Sequence, residues 1–167
     1  MGKSSNGLDR SPVHLLHRAA QCAEVIFHAE IDLGGLTPRQ FAVLMTVAQN
    51  EGLNQTGLVD RTGIDRQTVT EMVRRMQRKG LLERRRARND ARAYAVRLTD
   101  EGRRVLRTAE PLTKQVDDRI LQALPSGKRR AEFIGALQTI ATPLQPQDGA
   151  KNGATLPSVF TGVGRTQ

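Results

Sequence analysis

Tryptophan is absent from this 167-residue chain, tyrosine occurs once and phenylalanine four times. With aromatics at 3%, a core has to be built from Leu, Val, Ile, Ala and Met, and that palette favours helices because Ala and Leu are strong helix formers. A single cysteine, Cys22, excludes an intrachain disulfide framework and points to a reduced, cytoplasmic protein. No apolar run approaches the roughly 18 residues of a membrane span, so no membrane partner is expected. The first ten residues are polar, rich in Gly and Ser, and have no apolar stretch of the kind a signal peptide needs. The chain also lacks a P-loop, a Gly-rich dinucleotide fingerprint and any Ser/His/Asp or Cys/His arrangement in recognisable context. No enzyme and no cofactor are therefore expected.

What the chain has is positive charge, and it is all in one place. Of the formal net charge of +9, residues 61–107 hold 15 Lys/Arg against 6 Asp/Glu, while the remainder is balanced at 11 of each. A basic patch confined to part of a globular chain is the electrostatic footprint of a nucleic-acid partner, the alternative being a solvated face with no partner.

Residues 1–11 read as a disordered lead, 12–142 as a single domain and 143–167, rich in Pro, Gly, Gln and Thr, as a flexible tail. Apolar residues at helical spacing (Leu15, Leu16, Ala19, Ala23, Ile26, Phe27) predict a helix over 13–33, ended by Gly34 and Gly35. Thr37 caps the next, with Pro38 at its first position and a stripe of Phe41, Leu44, Met45 and Ala48, stopping near residues 50–52. A short helix over 55–62 carries Leu58 and Val59, and Gly63 breaks it. Asp65 caps a further helix to Lys79, with Val69, Met72, Val73 and Met76 inward and Gly80 as terminator. Two β-like runs follow, 81–85 and 93–98, separated by a basic turn over 86–92. Thr99 caps a long helix to about residue 123, with Asp100 and Glu101 at its positive end and Pro111 as a point of kinking. The break at Pro125, Ser126 and Gly127 precedes a last helix over 128–140, with Phe133, Ile134, Leu137 and Ile140 expected inward. No internal repeat is evident. The fold class is mainly α with a small β-hairpin.

A short helix, a Gly-containing turn and a second helix with polar outward residues form the helix-turn-helix pattern, in which the first helix braces the second for insertion into the major groove. The outer face of the second carries Arg66, Gln67, Thr70 and Arg74, with Thr68 beside them. Arg pairs bidentately with guanine and Gln with adenine. The hairpin supplies further cations at Arg86, Arg88 and Arg92, and an Arg on such a wing suits the electronegative minor groove, with Arg92 as the candidate. Asp90 would repel phosphates unless it pairs with Arg92 and orients it, the alternative being a turn-stabilising Asp.

These residues resemble the multiple antibiotic resistance regulator (MarR) family over about 36–106. The carrying segments are residues 36–44 (LTPRQFAVL), 64–70 (IDRQTVT) and 79–84 (KGLLER). The most specific is Asp90-Ala91-Arg92, followed after five residues by Leu98-Thr99 and then Gly102. The resemblance implies a triangular homodimer, with dimerisation helices at about 13–33 and 99–141 and one winged helix-turn-helix per protomer at about 37–99. Its partner would be double-stranded DNA with a pseudo-palindromic operator. It also implies Arg92 as the minor-groove contact with Asp90 as its partner, and places Arg66, Gln67, Thr70 and Arg74 on groove-facing positions. Two departures are Asp65, where the family often has Ser, and three consecutive arginines, Arg84, Arg85 and Arg86, which should steepen the salt dependence of binding.

The resemblance further implies a small aromatic or phenolic effector held between the dimer region and the DNA-binding lobe. His17, Arg18 and Arg39 could pair with its carboxylate, the alternative being ordinary exposed helix side chains. Some members sense peroxides through a first-helix cysteine activated by tyrosines. Here Cys22 sits near the edge of the apolar stripe, where inert packing is the simpler role, and the one tyrosine, Tyr94, is in the wing. His14, His17 and His28 share a sector of the first helix, but zinc needs three or four ligands and none completes the set, so no metal is expected. The expected function is a ligand-released dimeric repressor. The alternatives are a redox regulator acting through Cys22 and a winged-helix module that binds protein.

Overall fold

The computed structural model describes residues 7–50, 52–87 and 90–142, with the backbone alone for residues 87 and 90–93. A short 3-10 turn, Gly7–Arg10, leads into six helices and one hairpin: α1 (Pro12–Glu30), α2 (Pro38–Gln49), α3 (Gln55–Thr62), α4 (Arg66–Arg78), β1 (Leu82–Ala87), β2 (Asp90–Leu98), α5 (Asp100–Leu121) and α6 (Gly127–Ala141). Each helix starts where a side-chain oxygen accepts from an amide three residues on: Ser11, Thr37, Asn54, Asp65, Thr99 and Ser126. At Thr37 the cap is reciprocal. Its hydroxyl accepts from the Gln40 amide and the Gln40 side chain accepts from the Thr37 amide, both at 3.2 Å.

The core runs through α1, α2, α3, α4, the inner end of the hairpin and the first half of α5, from Phe27 and Ile31 through Leu44, Leu58 and Met76 to Ala109. Several boundaries differ from the sequence reading. Helix α1 ends at Glu30, not at 33. Ile31 turns to extended backbone while its amide still donates to the Phe27 carbonyl, and this exit buries Ile31 and Leu36, each 2% exposed, on either side of the Gly34-Gly35 turn. In α2 the buried side chains are Val43, Leu44 and Val47. Ala48 is exposed, and Phe41 and Met45 are half-buried, because the core lies between α3 and α5 and not beneath a single stripe. Helix α5 closes at Leu121 and passes through Pro111.

The largest departure is α6, which buries no side chain. Phe133, Ile134, Leu137 and Ile140, expected inward, are all exposed. So are Leu15 and Leu16 of α1. Amphipathic spacing reports that a face will be covered, not which chain covers it.

One junction joins the charged half of the molecule to the helical frame. Helix α4 ends in a Schellman arrangement, with the Leu81 amide donating to the Met76 carbonyl and the Gly80 amide to that of Gln77, both at 2.9 Å. The Thr99 hydroxyl then donates to the Gly80 carbonyl at 2.5 Å and accepts from the Gly102 amide at 3.0 Å, while the Thr99 amide donates to the Leu81 carbonyl. A Cβ at Gly102 would overlap that same Leu81 carbonyl, so only glycine lets α5 approach so closely.

Thr99→Ala removes both partners of one hydroxyl and should cost about 1–2 kcal/mol in urea denaturation, the usual loss for a helix cap. Gly102→Ala should cost about 3 kcal/mol, the upper end of overpacking losses, because the obstructing atom is backbone; a Gly102→Ala protein as stable as the parent would refute the close approach. At α4, hydrogen bonds from the Thr68 hydroxyl and then the Thr68 amide hold the Asp65 carboxyl below its ordinary range. A lowered folded-state value means this stabilisation is complete above the usual Asp pKa and is lost as pH falls through the depressed one. Asp65→Ala should therefore lower the urea midpoint at neutral pH, with the gap to wild type closing in acid. Asp65→Asn, which still caps, should keep the neutral-pH midpoint.

Candidate nucleic-acid interface

The interface begins with a contrast between the two faces of α4. Val69, Met72, Val73 and Met76, spaced by three or four residues, are all buried. Each contributes about 1.5–3 kcal/mol of burial. That anchoring fixes the rotation of the helix and presents Arg66, Gln67, Thr70, Glu71, Arg74, Arg75 and Arg78 to solvent. Thr68 is half-buried and its amide is committed to Asp65 at 2.9 Å, so it serves the cap before any ligand. The preceding helix ends at Gly63 in the left-handed conformation (φ 66°), whose amide closes on the Val59 carbonyl. This sharp turn lets α3 cross behind α4. The Arg66 guanidinium reaches back to the Thr56 hydroxyl at 3.5 Å, and the Thr70 hydroxyl donates to the Arg66 carbonyl at 2.8 Å, leaving its oxygen lone pairs outward. Of the charged side chains on this helix, Arg66 is thus braced by α3, while Arg74 projects from the middle of the outer face.

The hairpin stands beside this helix. Its strands pair antiparallel, Leu82 with Leu98, Glu83 with Arg97, Arg84 with Val96, Arg85 with Ala95 and Arg86 with Tyr94, with a register shift between Arg86 and Ala87. The strands are longer than the runs 81–85 and 93–98 read from sequence. Arg86, expected in the turn, is the last regularly paired residue of β1. Arg and Ala are weak β formers, so strand identity here comes from cross-strand pairing. Successive strand residues face opposite ways, so Arg84, Arg85 and Arg86 do not form one patch. All three are exposed, and Arg85 is paired with Glu83 at 2.8 Å. The Val96 amide donates to the Leu53 carbonyl at 2.8 Å, so the hairpin is also stitched to the segment ahead of α3. Arg88 and the side chains of Asp90 and Arg92 lie outside the described residues, as does any pairing between them.

Behind the helix-turn-helix, a cleft of about 430 Å³ opens between α1, α2 and α5, walled by Ala23, Phe27, Phe41 and Val116 and edged by Arg39 and Asp117. Arg39 lines it, whereas His17 and Arg18 are exposed on α1 and do not. Asp117 escaped the sequence reading. Burial first, and the neighbouring Asp118 second, push its carboxyl above the ordinary value. The available signal was an acid sitting beside Val116 on the stripe that includes Ile120. Cys22 is exposed, not packed at the edge of a stripe, and Tyr94 is on β2. Among the described residues no three His, Cys, Asp or Glu side chains converge as a metal site, and the His17 ring meets the Gln21 amide nitrogen instead.

A MarR family profile matches residues 34–93, from the turn before α2 to the wing. The transcriptional regulator HosA of Escherichia coli O111:H- is 34% identical over 103 residues, 62% of this chain and 76% of HosA. Among solved structures, the transcriptional repressor CouR bound to a 23-mer DNA duplex superimposes with a TM-score of 0.74 at 30% identity, covering 84% of this chain and 99% of CouR. BpsR of Bordetella bronchiseptica, whose DNA binding is regulated by 6-hydroxynicotinic acid, superimposes with a TM-score of 0.73 at 27% identity, covering 78% and 93%. The solved relatives thus share both the hairpin-and-helix unit and the long flanking helices, and this chain belongs to the MarR family of winged helix-turn-helix transcriptional regulators.

Proposed function

We propose that the chain is a dimeric, sequence-specific repressor that places α4 in successive major grooves of a pseudo-palindromic operator and is released by a small aromatic acid. The observation that carries this reading is the division of α4 into a fully buried apolar face and a polar outer face with Arg66, Gln67, Thr70 and Arg74. A rigid helix with that outer face is built for base edges. The exposed apolar faces of α1 and α6 supply the dimer surface, and the cationic wing supplies phosphate and minor-groove contacts through Arg84, Arg86, Arg88 and Arg92. CouR's complex with duplex DNA supports the docking, and BpsR's regulation by an aromatic acid supports the release. We place the protein in the cytoplasm and assign it no catalytic role. No helix among the described residues is long and apolar enough to cross a membrane.

The effector belongs in the cleft between α1, α2 and α5. Its aromatic ring would rest among Phe27, Phe41 and Val116, with its carboxylate on Arg39. Because α5 continues from the wing and α2 abuts α3, filling this cleft alters the spacing of the two recognition helices in the dimer.

Fluorescence anisotropy with duplex DNA from upstream of the gene tests the first part. Arg74→Ala should cost about 1–3 kcal/mol and narrow the preference over a scrambled duplex. Arg84→Ala should weaken both duplexes alike and reduce the salt slope by about one. Arg92→Ala should lose tight operator binding with the dimer intact. Unchanged affinity in all three would refute the interface. For the effector, Arg39→Gln should leave ligand-free operator affinity unchanged. It should raise the concentration of 6-hydroxynicotinic acid needed for release by about tenfold or more, the worth of one charged hydrogen bond. Release at the parental concentration would remove Arg39 from the site.

A further inference from the structure

A second cavity, of about 250 Å³, lies at the opposite ends of α2 and α5 from the effector cleft and shares no lining residue with it. Its charged walls are Arg97 at the inner end of β2 and Arg103 and Arg107 on the first two turns of α5; no acidic residue lines it. The remaining walls include Val47, Val96 and Leu106. Three arginines line this one small space with no acid among them, and their like charges repel each other unless an anion joins them.

The partners of these arginines are incomplete. The Nε of Arg97 is buried and meets no acceptor, a state shared among the described side chains only by the Gln55 amide nitrogen. Glu83, directly across the ladder from Arg97, is engaged by Arg85 instead. Arg103 pairs with Asp100 at 3.1 Å, but Asp100 is fully exposed, and exposed pairs of this kind exchange readily with other anions. Arg107, one turn further along the same face, makes no ion pair with a described residue.

DNA phosphate is a poor match for this cavity. Arg97 sits seven residues from Asp90, which at the rise of a strand puts it roughly 20 Å from the wing tip, at the end of the hairpin that packs on the body. We infer that the cavity is a second anion site, taking a compact organic oxyanion whose head group bridges Arg97 and Arg107 and whose apolar body rests on Val47, Val96 and Leu106. An occupant there would tie the base of the wing to α5 independently of the effector cleft.

Calorimetric titration at constant ionic strength tests this with three probes: benzoate, inorganic phosphate and neutral benzamide. Wild type and Arg39→Gln should bind benzoate equally at this site, and benzamide should not bind there. Arg97→Gln and Arg107→Gln should each weaken benzoate by about tenfold or more, the loss of one charge-assisted hydrogen bond. Arg107 is exposed, so its variant folds even if Arg97→Gln does not. Phosphate binding that matches benzoate would show that the head group alone is recognised, and would overturn the assignment of an apolar body. If Arg39→Gln abolishes benzoate binding while Arg107→Gln leaves it intact, the anion occupies the effector cleft; the second site is then refuted and the effector reading stands. If Arg107→Gln reduces the salt slope of operator binding, Arg107 is a phosphate contact, and the inference fails in that way too.

Discussion

The Thr99 hydroxyl, donating to the Gly80 carbonyl and accepting from the Gly102 amide, sits where three elements would otherwise part company: the carboxyl end of α4, the inner end of the hairpin and the first turn of α5. Buried helix ends leave backbone groups that must find partners. Here one side chain serves two such ends at once. The glycine at 102 lets α5 lie against the Leu81 carbonyl, so the angle between α4 and α5 is set by backbone contact and not by deformable side chains. A change in α5 therefore reaches α4 with little slack.

Around that junction the molecule separates into two halves with different needs. The winged half completes its own core: the inner face of α4 is buried, and Leu82, Val96 and Leu98 close the hairpin against it. The outer half does not. Helix α6 buries nothing, and the face shared by α1, α5 and α6 includes a groove lined by Leu16, Ile120, Phe133, Ile134 and Leu137. An apolar surface of this kind is stable in water only when covered, and a second copy presents a matching one. The winged half is packed within one protomer, while the apolar face of α1, α5 and α6 is left for a second chain to cover.

The two cavities sit at either end of the same pair of helices. Near Arg39 and Asp117, α2 and α5 meet α1; near Arg97 and Arg107 they meet the wing. Both cavities are lined by α5, at different distances from the Thr99 junction. A ligand shifts an equilibrium only by its difference in affinity for the two arrangements. With Arg39 on one cleft and Arg97, Arg103 and Arg107 on the other, the proposed ligands of both are anions.

Much of this was legible in the chain because it is local chemistry. Thr37, Asp65 and Thr99 cap helices by hydrogen bonds that span three residues, and the inward set Val69, Met72, Val73 and Met76 follows from the helical period alone. The wing motif from Asp90 to Gly102 and the confinement of excess charge to residues 61–107 carried the family resemblance. Pairing decided what local propensity does not encode. Arg86 became a strand residue because Tyr94 stands opposite it, and Ile31 left its helix because the core lay beyond it. Which arginines share a cavity was likewise invisible, since Arg97 and Arg107 are brought together by a strand and a helix packing against α2. Sequence by itself determined the helices, their caps and the polarity of each face, because those depend on neighbours within a few residues. Only the tertiary structure decided which faces meet, which stay open for a second chain and where charge is left without a partner, because those depend on residues far apart in the chain competing for the same space.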